Sequence, residues 1–425
     1  MTSLPQALKR AQQTYANRNR KSYEAHQAAS RHLPGGSTRS SIFIHPFPLC
    51  IQKGQGVKIT DLDGHEYVDF VSDFTSGIYG KSHPVLIDAI KEALDNGLQL
   101  GAHTLAETTL ASHFTSRFPS IELVRFANSG TEANILAIST AVKHTGRKKV
   151  LVFEGGYHGS VMSHFHMKGG DGDDLKVPFD FVVCSYNDPK GADALISQHP
   201  SEIGAILVEP MLGAGGCIPG DPAFLQFLRE KASSIGAVLI FDEVQTARLS
   251  TGGRQKILGI TPDLTTVGKF FGGGFAFGAF GGKKEIMEKF DARKGGAISH
   301  GGTFNNSPLT MVAGATAMEK ILTEDALKNL NKLGDWMREE INRMFTSDGS
   351  PFLMTGLGSI NQFHCTLSSN QNQVLDLLFF YLLERGFWIA QRGLVSLSFA
   401  MTKEDVQRFI EAAVEATQKV KATLK

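Results

Sequence analysis

From about residue 105 to residue 310 the chain alternates short apolar runs with segments of helical periodicity. The apolar runs are "KVLVFEGG", "FDFVVCSY", "GAILVEPM", "GAVLIFDEV" and "TTVGKFFGGG". Continuous apolar strands separated by helix-length segments are what a parallel sheet buried on both faces requires. We therefore expect an α/β fold, a three-layer α/β/α sandwich with a mainly parallel sheet.

The segments on either side of this pattern predict a second, smaller α+β domain. The stretch "GVKITDLDGHEYVDF" alternates apolar and polar residues around Asp63 and Gly64 and predicts a β-hairpin. Strand and helix patterns mix again towards the C-terminus. The predicted division is an N-terminal helix and hairpin in 1–70, a large domain in 71–320 and the rest of the small domain in 321–425.

Charge and hydropathy narrow the class of partner. The 43 Lys and Arg balance 42 Asp and Glu, so no field of one sign attracts nucleic acid or an anionic membrane. The sequence contains no run of eighteen apolar residues, so no membrane-spanning helix is predicted. The first 23 residues are basic and predict an amphipathic helix, with a mitochondrial transit peptide as the alternative.

The cysteines are widely separated and form no C-x-x-C pair. This spacing predicts neither a zinc site nor a disulfide framework, but buried thiols in a reducing compartment. We therefore expect a cytoplasmic protein without a metal. The cysteines are Cys50, Cys184, Cys217 and Cys365.

Two charged residues stand where apolar runs of the predicted sheet end. Asp242 closes "GAVLIFD", at the edge where open α/β sheets bind ligands, although a salt bridge or a helix cap explains a lone carboxylate equally well. Lys269 follows "TTVG" and precedes a run of glycines. A lysine shielded from water there has its ammonium form disfavoured, so its amine can act as a nucleophile and form a Schiff base. The absence of Gly-Lys-Ser or Gly-Lys-Thr excludes a P-loop.

Two further stretches supply groups for a phosphate and an aromatic ring. Ser129, Gly130 and Thr131 precede a helical pattern, where free backbone N–H groups can bind phosphate or simply carry an N-cap. Tyr157 follows the run "VLVFEGG" and can stack on a planar ring or close the core. A phosphate, an aromatic ring with a nitrogen and an aldehyde together describe pyridoxal 5′-phosphate.

The motifs "NSGTEAN", "GGYHG", "FDEVQT", "VGK" before glycines and "GGTFNNSP" occur in the order typical of class III aminotransferases, which the chain resembles from about Leu33 to its C-terminus. The resemblance implies fold type I. It also implies that Lys269 anchors the cofactor covalently and transfers protons, and that Asp242 holds the pyridine nitrogen protonated.

The same resemblance assigns the remaining cofactor contacts. Val244 and Tyr157 would pack on opposite faces of the ring, and Gln245 would contact its phenolic oxygen. The phosphate would be held by Ser129, Gly130 and Thr131, and by Thr303 reaching across from the neighbouring subunit of a homodimer.

Within this family the chain resembles β-amino acid aminotransferases and glutamate-1-semialdehyde aminomutases. "DEVQTARLS" lacks the Gly-Phe-Arg of the aminomutases, so we expect a β-amino acid or related amine as donor and 2-oxoglutarate or pyruvate as acceptor, in a ping-pong reaction. Arg39 would bind the donor carboxylate and Arg392 that of the keto acid. An aminomutase and an ω-amine:pyruvate transaminase remain alternatives.

Two readings outside aminotransferase chemistry are weaker. A nicotinamide dehydrogenase would need G-x-G-x-x-G, which "GAGGCIPG" does not match. A non-catalytic regulator that binds DNA would need a basic module, for which the sequence has no segment.

Overall fold

The computed structural model describes residues 3–162 and 176–424. Its strands, in chain order, are β1 (Ile51–Gln55), β2 (Lys58–Asp61), β3 (Glu66–Asp69), β4 (Leu123–Ala127), β5 (Lys149–Phe153), β6 (Asp180–Cys184), β7 (Ile203–Val208), β8 (Met211–Leu212), β9 (Ile218–Pro219), β10 (Val238–Asp242), β11 (Leu264–Gly268), β12 (Gly278–Gly282), β13 (Phe352–Leu357), β14 (Ile360–Cys365), β15 (Phe387–Trp388) and β16 (Leu394–Ser396).

The helices, in chain order, are α1 (Leu4–Arg18), α2 (Arg20–Ala29), α3 (Pro84–Asp95), α4 (Leu105–Arg117), α5 (Gly130–Thr145), α6 (Pro189–Gln198), α7 (Pro222–Ile235), α8 (Gly253–Leu258), α9 (Lys284–Met287), α10 (Pro308–Lys320), α11 (Glu324–Asp348), α12 (Gln371–Glu384) and α13 (Lys403–Ala422). None of the described helices is both long enough and apolar enough to span a membrane.

The contacts divide the chain into a larger unit, residues 84–329, and a smaller unit formed by residues 1–83 and 330–425. The larger unit contains a seven-stranded sheet in the order β4-β12-β11-β10-β7-β5-β6. Neighbouring strands run parallel except at β12, which is antiparallel to both β11 and β4. The predicted mainly parallel α/β sheet is confirmed.

Alternate residues of the central strands pack into two different apolar clusters. In β10, Ile240 belongs to a cluster with Ala137 and Ile138 of α5, whereas Leu239 and Phe241 belong to a cluster that includes α7. β5 and β7 divide in the same way. Because both faces are covered by helices, nearly every position of these strands is apolar, as in the sequence pattern.

This topology gathers the segments that follow the strands. The carboxyl ends of parallel strands lie at one edge of a sheet, and ligands of open α/β sheets bind there. Asp242 is the last residue of β10, Glu209 follows β7 directly, and Lys269 follows β11. Tyr157 and His158 come four and five residues after the end of β5.

The smaller unit contains two sheets built from distant parts of the chain. The predicted hairpin is present as β2 and β3, and β3 pairs in parallel with β15 near the C-terminus. β13, β14 and β16 form a separate antiparallel sheet. Helix α1 buries the apolar face formed by Leu4, Ala7, Ala11 and Tyr15.

Candidate active site

Asp242 lies at the centre of a buried hydrogen-bond network in the larger unit. Its Oδ2 accepts hydrogen bonds from Asn134 Nδ2 of α5 and from His158 Nδ1, each at 2.8 Å. Its Oδ1 accepts from the backbone N–H of Val244 at 3.0 Å. Only 3% of Asp242 is exposed. A buried carboxyl group without hydrogen-bond partners is costly, and these donors offset that cost.

Both partners of Asp242 are themselves fixed by other elements. Asn134 Oδ1 accepts from Thr266 Oγ1 of β11 at 2.6 Å, and Asn134 Nδ2 also donates to the His158 backbone oxygen at 3.1 Å. His158 is 2% exposed. The carboxylate is therefore held in one orientation by residues from α5, β11 and the segment after β5.

A second buried carboxyl group, Glu209, lies beside this network. Its two oxygens accept from the backbone N–H groups of Tyr157 and Gly213, each at 2.9 Å. Burial raises the pKa of Glu209 to about 7; the nearby His158 opposes this rise and the negative Asp242 adds to it. Glu209 thus fixes the backbone that carries Tyr157, whose side chain is 39% exposed.

Lys269 begins a short 3-10 turn, Lys269–Gly272, directly after β11. Its φ of 58° is left-handed, a region that residues other than glycine adopt at a cost of about 1–2 kcal/mol. Strained backbone of this kind concentrates at functional sites. Lys269 is half-buried at this position.

Three stretches predicted to share a site are in contact at the start of α5. A Cβ added to Gly130 would lie 3.0 Å from Val244 Cγ2, and one added to Gly268 would lie 3.4 Å from the Gly130 nitrogen. A Cβ on Gly159, whose φ is +119°, would overlap Thr131 Oγ1 at 2.3 Å. Glycine at these positions permits the close approach.

Ser129 has the capping role that the sequence left open. Its hydroxyl accepts from the Glu132 N–H at 3.1 Å, and Glu132 Oε2 accepts in return from the Asn128 N–H at 2.9 Å. This arrangement stabilises the first turn of α5. The hydroxyl and the remaining N–H groups of that turn can also bind an anion.

Gln245 brings an uncompensated polar group to the same region. Its side chain packs on Gly213, where an added Cβ would lie 2.3 Å from Gln245 Cδ and Nε2. Gln245 is 8% exposed, and among the described residues its Oε1 has no hydrogen-bond partner. Buried polar atoms in proteins generally have a hydrogen-bond partner, so this oxygen is available to a polar group at the site.

Arg39 and Arg392, predicted from distant parts of the sequence, meet at one aromatic ring in the smaller unit. The guanidinium carbon of each lies 5.3 Å from the centroid of Phe74. Arg39 also forms an ion pair of 2.7 Å with Asp73, in which both side chains are about half exposed. Thr303 lies in an exposed loop of the larger unit before α10.

The chain was compared with known proteins. Residues 42–417 match the family model described as Aminotransferase class-III. The chain is a class III aminotransferase. Class III aminotransferases use pyridoxal 5′-phosphate, and the structural relatives of this chain share fold type I.

The relatives of this class III aminotransferase cover nearly its whole length. It is 43% identical over 419 residues to the β-phenylalanine transaminase of Variovorax paradoxus, covering 96% of this chain and 95% of that protein. The crystal structure of the β-phenylalanine aminotransferase from that organism matches with a TM-score of 0.95, at 42% identity and covering 99% of each chain.

Two other kinds of family member are also similar. An ω-transaminase structure from Sphaerobacter thermophilus matches with a TM-score of 0.88 at 37% identity, covering 94% of this chain and 98% of the other. The glutamate-1-semialdehyde 2,1-aminomutase of Methanosarcina acetivorans is 34% identical over 416 residues, covering 93% and 98% of the two chains.

Several residues that contact the predicted site residues are not predicted from the sequence. His158 and Asn134 lie inside the quoted motifs "GGYHG" and "NSGTEAN" but were given no role, and Glu209 ends the apolar run "GAILVE" just as Asp242 ends its own. A carboxylate directly after a buried strand was the signal for Glu209. Nothing in the sequence pattern indicated Phe74, because its contacts are with two arginines that are distant in the sequence.

The raised pKa of Glu209 predicts a pH dependence of stability. The ordinary pKa of this carboxyl group is 4.5, and burial in the folded chain raises the pKa to about 7. At a pH between 4.5 and about 7, the folded chain therefore binds more protons at this group than the unfolded chain does. The contribution of Glu209 to the free energy of unfolding is therefore greatest below the unfolded pKa and is lost as the pH rises through the folded pKa.

Glutamine at 209 cannot ionise. We expect the Tm of the wild type minus that of Glu209→Gln, measured by calorimetry, to decrease between about pH 5 and about pH 8. A difference that stays constant over this range would show that the carboxyl is not perturbed by its burial.

Proposed function

We propose that this chain transfers the amino group of a β-amino acid or related amine to a keto acid, 2-oxoglutarate or pyruvate, by a ping-pong mechanism. The observation that carries the proposal is the buried Asp242, hydrogen-bonded in one orientation at the sheet edge where Lys269 follows the neighbouring strand. A nucleophilic amine and a fixed carboxylate are the two groups that pyridoxal phosphate requires.

The residues at this edge fit pyridoxal phosphate. Lys269 would hold it covalently and Asp242 would pair with its ring nitrogen. The start of α5, with Ser129, Gly130 and Thr131, would hold the phosphate. The buried Gln245 amide, whose oxygen has no partner among the described residues, would be satisfied by a polar group on the ring.

Two further residues would confine the ring from its faces. Val244 contacts Gly130 at the start of α5, so it lies where one face of a ring could rest. Tyr157, held through its backbone by Glu209, would stack on the other face.

The cofactor supplies an electron sink for the pair of electrons left when the amine-bearing carbon of the donor loses a proton. Lys269 Nζ would take that proton and return it, which requires the amine in its neutral form. Asp242 would keep its partner nitrogen protonated. Asn134 and His158 would keep the carboxylate in place by donating to it.

Arg39 and Arg392 would select substrates that carry a carboxylate. Guanidinium groups bind carboxylates in a fixed, frequently bidentate geometry. Beside Phe74 the smaller unit also has a cavity of about 360 Å³ with apolar lining from Ile42, Ile59 and Trp388. Asp73 and Phe74, which also line this cavity, both contact Arg39. This arrangement would suit a donor with a carboxylate and an apolar group, as in the β-phenylalanine named for the 43% identical relative.

The second candidate function is that of an aminomutase, which moves an amine within one molecule. It is favoured by the 34% identity to a glutamate-1-semialdehyde aminomutase. Turnover of a semialdehyde without any keto acid would identify it, whereas the proposed reaction stops after one amino group per site unless a keto acid is added.

Arg39→Ala tests the donor specificity. We expect kcat/KM for β-phenylalanine to fall roughly 10- to 100-fold, since a charged hydrogen bond to the substrate is lost, while kcat/KM for 1-phenylethylamine, which has no carboxylate, stays within about two-fold. The exposed Arg31→Ala serves as the matched control and should leave both values unchanged. Equal losses with both donors would remove Arg39 from carboxylate recognition.

We also propose that the active form is a homodimer. In the larger unit Leu98, Leu100, Leu105 and Phe304 are each more than half exposed, as is Ile257 on α8. Asn306 Nδ2 ties the two segments of the first four together, since it donates to Ala102 O at 3.4 Å and to Glu107 Oε2 at 3.2 Å. Exposed apolar side chains on adjoining segments support an interface there, and Thr303, next to Phe304, would then reach the partner's phosphate site.

Leu105→Arg tests the dimer. Leu105 is 84% exposed at the start of α4, so the change should leave folding intact but place a charge in the interface. We expect light scattering to show a shift from dimer to monomer, with loss of transaminase activity. Ile257→Arg, on an exposed position of α8, is the control and should remain dimeric and active. A Leu105→Arg protein that stays dimeric would place the interface elsewhere.

A further inference from the structure

The segment between β3 and α3 contains four consecutive residues with left-handed backbone. Ser72, Asp73, Phe74 and Thr75 have φ values of 46°, 46°, 51° and 79°. In the described ranges the other residues of this kind, apart from glycines, occur singly. Consecutive residues other than glycine adopt left-handed backbone only where the surrounding structure enforces it.

Hydrogen bonds at both ends enforce the turn. Asp69 Oδ1 accepts from the N–H groups of Val71 at 2.8 Å and Ser72 at 3.0 Å. Ser72 O accepts from the Gly77 N–H at 2.7 Å, and Ser72 Oγ donates to Ser396 O at 3.1 Å. Asp69 is 4% exposed and is itself paired with Lys81. The turn is thus a built element of the smaller unit.

The turn displays two side chains to the arginines. Phe74 contacts the guanidinium groups of both Arg39 and Arg392, with each guanidinium carbon 5.3 Å from the ring centroid. This distance is within the range of cation–π attraction. One ring therefore restricts both cations, although Arg39 and Arg392 belong to segments at opposite ends of the chain.

The neighbouring Asp73 supplies a carboxylate to Arg39. Asp73 Oδ1 accepts from Arg39 Nη1 at 2.7 Å, and its Oδ2 accepts from Ser76 Oγ at 2.9 Å. The Arg39 and Asp73 side chains are 49% and 55% exposed. An ion pair as exposed as this contributes little free energy, so a carboxylate from solution can replace Asp73 at low cost.

We propose that the turn Ser72–Thr75 is the positioning element of the carboxylate site, an inference that rests on the proposed function. Phe74 holds both guanidinium groups in place. Asp73 is an internal carboxylate that occupies Arg39 until the carboxylate of the donor displaces it. The charge of Arg39 is then paired in both halves of the ping-pong cycle. The donor carboxylate pairs with it when the donor is bound, and Asp73 pairs with it when the donor is absent.

The exchange is tested by equilibrium binding of 3-phenylpropanoate, which has a carboxylate but no amine to react. In calorimetric titrations of the holoenzyme, Asp73→Asn should bind this probe about two- to five-fold more tightly than the wild type, because the competing charge is gone. Asparagine is chosen because it tolerates left-handed backbone. Glu404→Gln, which removes an exposed carboxylate elsewhere in the smaller unit, is the control and should bind as the wild type does.

The Arg39→Ala variant separates this inference from the proposed function. If Arg39→Ala weakens binding of 3-phenylpropanoate but Asp73→Asn does not tighten it, Asp73 is no competitor and the inference fails while the carboxylate-binding role of Arg39 stands. If Arg39→Ala binds as the wild type does, both fail. The uncharged 3-phenylpropan-1-ol should bind equally to the wild type and Asp73→Asn; a change there would show a general rearrangement and overturn the exchange.

The role of Phe74 is tested by kinetics. Phe74→Leu should raise KM for both β-phenylalanine and the keto acid about two- to five-fold, because both guanidinium groups lose the ring, and leave kcat nearly unchanged. Phe74→Tyr retains the ring and should restore both values. A residue that only packed on the apolar group of the donor would raise KM for 1-phenylethylamine equally and leave the keto acid unaffected; that result would contradict a positioning role.

Discussion

The larger unit depends on holding one buried carboxylate, that of Asp242, in a fixed orientation in a nearly dry interior. Removing a carboxylate from water is costly, and the structure offsets that cost with three hydrogen bonds from Asn134, His158 and the Val244 backbone. Each donor belongs to a different segment, so α5 and the loops after β5 and β10 are joined through this one side chain. The parallel sheet supplies the frame, since it ends its strands at a common edge.

The parallel sheet could be predicted from the sequence because each buried strand is recognisable from its own residues. Strands buried on both faces must be continuously apolar, and a charged residue that ends such a run, such as Asp242 or Lys269, stands out against it. What was missed arises from distant contacts. His158 and Asn134 acquire their roles only when the sheet brings them to Asp242, and no periodicity records that meeting. The turn at Ser72–Thr75 was not predicted, because of its four residues only Asp73 is of a type that favours left-handed backbone.

The two units divide the chemistry that we propose. The larger unit carries the groups that fit pyridoxal phosphate, and the smaller unit carries the two arginines for substrate carboxylates. Donor and acceptor of a ping-pong transaminase differ in shape but share a carboxylate next to the reacting carbon or one carbon further away. Two arginines restrained by one ring, with an internal carboxylate that keeps one of them neutralised, suit an enzyme that must accept both.

We propose that Lys269 holds the cofactor covalently. Reduction of the purified holoenzyme with borohydride, followed by proteolysis and mass spectrometry, fixes any covalent link between the cofactor and an amine. We expect a single pyridoxyl-modified lysine, in the peptide that contains Lys269. A modification at another lysine, or no modified peptide from protein that retains the cofactor, would contradict the account.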